Sequence, residues 1–165
     1  MSETTNDRDP ILAAIGRALT GRDAHVEAAN VLLGMDWKLA GARPEGSPHS
    51  VFQLVNHVVY WQEWAASWLD GKKPRPPRHA SGSWPGEAGP ADRRDWERTV
   101  RRFGKAVGAL QDRAGKVDLL KRRGKWSPLE ILQVIGSHTS YHIGQIATLR
   151  QSLGAWPPPS GGVTW

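Results

Sequence analysis

Residues 137–151 read SHTSYHIGQIATLRQ, which sets His138 and His142 four apart inside an apolar run of helical period. At about 100° per residue, His142 lies roughly 40° around a helix from His138. Ile131, Val134, Ile135, Gln145, Leu149 and Leu153 fall within about 60° of His138 by the same arithmetic. The two imidazoles therefore occupy the centre of the greasy stripe and not its edge. A buried polar group without a partner costs about 1–3 kcal/mol. A metal ion bound by both rings would satisfy both at once, as the helical HExxH pattern does. Thr139 stands where that pattern has its glutamate, which argues against a metalloprotease of that type.

Two imidazoles need a third ligand, and His57 is the best candidate. Its helix carries Leu54, Trp61, Trp64 and Trp68 near the same face. Ser47-Pro48 and Ser127-Pro128 both read as a cap followed by proline. Counted from those caps, His57 and His138 lie at similar depth if the two helices start at one end, a parallel arrangement that needs a long crossover. The stretches SPHSVFQLVN and SPLEILQVIG echo one another, as two equivalent helices of a bundle would. Gln145 is placed to orient a ligand or a bound water, or to bridge two helices. Tyr60 and Tyr141 flank ligand positions, and Trp61 and Trp64 read as core or as pocket wall. His25, His49 and His79 sit in polar sequence and read as surface, with His25 a candidate to support a ligand.

The remaining pattern predicts an all-α chain. Asp9-Pro10 opens a short helix over about 10–19, and a second helical stretch covers about 22–33. Longer helices follow over about 47–69, 91–113 and 127–153. Ser127 and Glu130 form a capping box at the last of these. The Pro- and Gly-rich segment 71–90 is an irregular excursion, long enough that Trp84 should pack it or cover something. No stretch alternates long enough to be a strand.

The bulk numbers fit a single domain over 1–165 that is long enough to bury one core. With no cysteine, thiolate metal sites and disulfides are excluded, and any thiol in the chemistry must come from a substrate. The first ten residues carry no apolar signal segment, and no apolar run approaches spanning length, so the reading is cytoplasmic with no membrane partner. The net charge of +6 is concentrated in DRRDWERTVRRFGK and KRRGK. Acidic residues mixed into the first cluster favour a solvated helix face over a nucleic-acid patch.

HTSYHIGQIATLRQSLGAWPP, with GSPHSVFQLVNH and WSPLEIL upstream, resembles the DinB-like superfamily of four-helix bundles. The resemblance implies an up-up-down-down bundle with a long crossover between helices 2 and 3. It implies a divalent transition metal such as zinc, nickel or iron, held by His57, His138 and His142, and a homodimer. Similar proteins include metal-dependent thiol S-transferases that use bacillithiol or mycothiol. The leading functional expectation is thus a metal-dependent transferase joining a low-molecular-weight thiol to an electrophilic substrate. A metal-dependent hydrolase and a non-enzymatic metal-binding or interaction bundle are the alternatives. No Asp or Glu falls on the histidine faces to serve a hydrolase as general base.

Overall fold

The computed structural model describes residues 10–162. Five α-helices appear in order: α1 (Pro10–Thr20), α2 (Trp37–Gly41), α3 (Val51–Leu69), α4 (Arg93–Ala114) and α5 (Pro128–Ser152). A short 3-10 turn, Ala80–Ser83, interrupts the long connection from α3 to α4. The described residues form no strand, only an isolated bridge between Arg123 and Trp126. The all-α expectation holds. The expected Asp9 cap lies outside the described residues.

The α5 start is as the sequence predicts. The Ser127 side chain accepts from Glu130 N–H, the Glu130 carboxylate accepts from Ser127 N–H, and Pro128 sits in the first turn. The α3 start differs. Its cap is Ser50 and not Ser47, and Gln53 closes a second capping box. A reciprocal box satisfies two orphan backbone donors, more than proline in the first turn can, so the helix begins three residues later. The helix expected over 22–33 is a run of turns. Asp23 takes a left-handed φ of 66°, which an α-helix cannot continue through. The five-residue α2 was not foreseen; its N-cap is Asp36, whose side chain accepts from Lys38 N–H.

Cross-helix contacts fix the directions. Glu63 meets Arg102 and Asp70 meets Arg113, so α3 and α4 run the same way. Gln62 on α3 donates to Thr139 on α5, and Arg123, just before α5, reaches the Trp68 and Leu69 carbonyls at the end of α3. Thus α3 and α5 are antiparallel. Gly136 lies against Ala18, His25 reaches Ser140, and Val31 reaches Arg150, so the chain leaving α1 follows α5. The order along α1, α3, α4 and α5 is up-down-down-up. It replaces both the parallel pairing and the up-up-down-down order that were expected. The long crossover is real, because two consecutive parallel helices need one to return the chain.

The interior splits into two apolar clusters. One gathers Val51, Leu54, Val55, Val58, Ile143 and Ile146 with Val31, Leu32 and Phe103. The other gathers Ala65, Leu69, Ile131, Leu132 and Ile135 with Leu19 and Leu110. Arg150, 2% exposed, donates to the carbonyls of Val31, Leu33 and Ala155. Those three acceptors hold a buried guanidinium that meets no carboxylate among the described residues. They tie the end of α5 to the turns after α1.

Candidate metal centre

The antiparallel seam of α3 and α5 brings His57, His138 and His142 together. Their ligand nitrogens all lie within 4.8 Å of one another. His138 Nε2 stands 3.1 Å from His57 Nε2 and 3.1 Å from His142 Nε2. Two nitrogens on a tetrahedral zinc, each about 2.0–2.1 Å from the ion, would be about 3.3–3.4 Å apart, so the spacing is close to what one ion needs. His57 and His142 are buried, and His138 is half-buried.

Two of the rings have their tautomer set from outside. The Ser83 carbonyl can only accept, so His57 Nδ1–H donates to it at 3.3 Å. His142 Nδ1–H donates to Gln145 Oε1 at 2.6 Å, while Gln145 Nε2 donates to Tyr141 Oη. In both rings the Nε2 lone pair is thereby turned inward, toward His138 Nε2. One proton on His138 Nε2 can satisfy only one of those two lone pairs, and His138 Nδ1 is buried with no hydrogen-bond partner among the described residues. A cation accepted by all three Nε2 atoms would resolve that mismatch. The donor set fits a divalent transition metal, with second partners on two ligands as metal-bound histidines usually have.

Electrostatics agree with this. Burial, reinforced by the His142 ring, pushes His57 down to about 4. Burial, with the His142 and His57 rings, pushes His138 down to about 4 as well. Burial also lowers His142, and its bond to Gln145 partly offsets this. All three rings are neutral at pH 7, the protonation state that binds metal.

The crossover between α3 and α4 supplies much of the surround. Trp84 lies flat between two imidazoles, 3.7 Å from the His49 ring and 3.8 Å from the His57 ring. Three of its carbonyls are anchored on α3: Ser83 by His57, Pro85 by the Gln53 amide, and Ala88 by the Ser50 hydroxyl. Gly41 and Gly89 pass so closely that a Cβ on Gly41 would stand 2.7 Å from Gly89 Cα. Neither residue can carry a side chain where the crossover meets the end of α2.

Of the side chains singled out from sequence, Gln145 is at the centre as a partner of His142. Tyr141 packs edge-on against His142 at 5.1 Å. Trp61 and Trp64 lie against the other apolar cluster, Trp64 donates to the Pro74 carbonyl, and Tyr60 packs edge-on against Trp61. The tryptophan at the histidines is Trp84. His25 bonds the Val26 carbonyl and the Ser140 hydroxyl, and His79 is exposed. His49, read as surface, is half-buried against Trp84. Its neighbour in the stack is 35 residues away in sequence (84 − 49), so no local pattern could show it.

The DinB superfamily profile matches residues 23–146, a span that includes all three clustered histidines. No curated protein and no solved structure matches the chain. The match covers well over half of the sequence, and the chain belongs to the DinB superfamily.

Proposed function

We propose that the protein is a DinB-like four-helix-bundle metalloenzyme, one domain over 1–165, that binds a divalent transition metal through His57, His138 and His142. The reaction it supports best is transfer of a low-molecular-weight thiol to an electrophile. The observation that carries the reading is the convergence of three neutral Nε2 atoms, two of them aimed by Ser83 and Gln145. Three protein ligands, unlike the four of a structural zinc site, leave a coordination position for substrate.

A metal bound there would lower the pKa of a coordinated thiol and hold it as the thiolate nucleophile. The chain's own residues do the rest. Gln145 and Ser83 hold two imidazoles in the ligating tautomer. Trp84 covers His57 and keeps water from that side. In the transfer the thiol gives its proton to solvent, its sulfur forms a bond to the acceptor carbon, and the leaving group departs with the electron pair. The absence of cysteine means that no thiol of the chain competes for the metal or the electrophile. A cytoplasmic location and a homodimer belong to the same reading, and the homodimer rests on the superfamily alone.

The test is elemental analysis of untagged protein purified without chelator, beside His57→Ala and His142→Ala. About one metal per chain, lost in both variants while far-UV helicity persists, is the expected outcome. Metal retained at full stoichiometry in either variant would overturn the ligand set. With metal established, turnover of a nitrophenyl ester without added thiol would replace thiol transfer with hydrolysis.

A further inference from the structure

A cleft of about 390 Å3 opens between α5 and the segment before α3. Its walls include His49, Leu54, Tyr141, Gly144, Gln145 and Thr148. It touches the histidine centre on two sides. Gln145 bonds His142, and His49 stacks on the tryptophan that covers His57. A ligand in this cleft is therefore next to the centre.

Two features of the cleft define what it takes. The chain carries 22 Lys and Arg and 16 Asp and Glu, yet none of these lines the cleft among the described residues. A charged ligand entering it would lose water and meet no Lys, Arg, Asp or Glu in return, whereas a neutral one would find the Tyr141 hydroxyl and the Gln145 amide. The second feature is Gly144. It lies in the middle of α5, where glycine weakens a helix relative to alanine. Its φ is not positive, and a Cβ there would meet nothing within 4 Å. No backbone or packing constraint demands glycine at 144, but its lack of a side chain keeps the cleft wall open.

We propose that this cleft is the subsite for an uncharged, largely apolar small molecule, held beside the three histidines by Tyr141 and Gln145. Its volume falls in the range of small-molecule pockets, about 300–1,000 Å3. The assignment rests on the thiol-transfer reading only in naming that molecule as the electrophilic acceptor. The anionic or cationic parts of a thiol co-substrate then lie outside the cleft.

Isothermal titration with three probes of one shape tests this: 2-naphthylmethanol, 2-naphthoate and 2-naphthylmethylammonium. The protein is used as purified and again after chelator treatment, so that the cleft and the metal are judged separately. The alcohol is expected to bind at least about tenfold tighter than either ion. Gly144→Leu, which fills the cleft from a position with free space, is expected to weaken the alcohol at least about tenfold while helicity and metal content stay. Should that variant misfold, Thr148→Phe blocks the same wall from an exposed position. No binding of the alcohol, equal or tighter binding of an ion, or unchanged binding in the blocked variant would overturn the proposal. Preference for the alcohol in protein that is purified without metal and takes none up on reconstitution would uphold the cleft and remove the metal reading.

Discussion

Toward the N-terminal end of α3, its seam with α5 carries three imidazoles, a glutamine and a stacked tryptophan from the crossover. Toward the other end, the same two helices meet through Ala65, Ala66, Leu69, Ile131, Leu132 and Ile135, flanked by Trp61, Trp64 and Trp68. The buried pair Gln62 and Thr139 lies between, bonded at 3.2 Å. One half leaves imidazole nitrogens unsatisfied. The other is closed by aliphatic packing. The division assigns chemistry and stability to separate stretches of one helix pair, so either is open to change with little effect on the other.

The largest expected effect comes from the apolar half. Leu132→Ala should lower stability by about 2–5 kcal/mol, read by denaturant melting, with metal content per folded chain unchanged. A parallel loss of metal would show the halves to be coupled. Next is Gln145→Leu in the polar half. It removes the acceptor that orients His142 and should weaken metal affinity by about 10–100-fold in chelator competition, with little change in Tm. A third effect depends on pH. His57 and His138 titrate lower in the folded chain, about 4, than their ordinary 6.5, so between those values the unfolded chain binds more protons. Stability of the metal-free protein should be full above pH 6.5 and fall as pH drops toward 4. His57→Phe should flatten that slope; an unchanged slope would place the linkage elsewhere.

The smallest effect contrasts the two helix starts. Ser127→Ala should cost about 1 kcal/mol, an ordinary cap loss. Ser50→Ala should cost more, because the Ser50 hydroxyl also donates to the Ala88 carbonyl and the residue is fully buried. Equal losses in thermal melts would mean that the crossover is not fastened there.

The α5 half of the centre was legible in the sequence, because i, i+4 histidines on an apolar stripe and a complete capping box are both local signals. His57 was legible as a candidate, but its depth beside His138 was not, because α3 and α5 run antiparallel. Ser47-Pro48 reads as a cap with proline behind it, yet Ser50 and Gln53 spell a capping box in plain sequence. The direction of α3 against α5 is a long-range property that no cap encodes. The tryptophans show the same limit. A helical wheel puts Trp64 on the His57 face, yet seven residues of rise, roughly 10 Å, carry it into the other cluster. Angle was readable and height was not. Trp84 was readable as the residue that fixes the crossover, but its stacking on His57 joins segments 27 residues apart (84 − 57) through the tertiary fold.

The crossover is fastened to α3 through its main-chain carbonyls at Ser83, Pro85 and Ala88, while the donors are side chains of the helix. Any residue has a carbonyl. Over evolutionary time the crossover is therefore free to drift in identity, provided that its path, its tryptophan and its close approach to Gly41 survive. The burden of inheritance falls on His57, Gln53 and Ser50, and a search for relatives anchored on α3 and α5 would reach further than one anchored on the segment that covers the site.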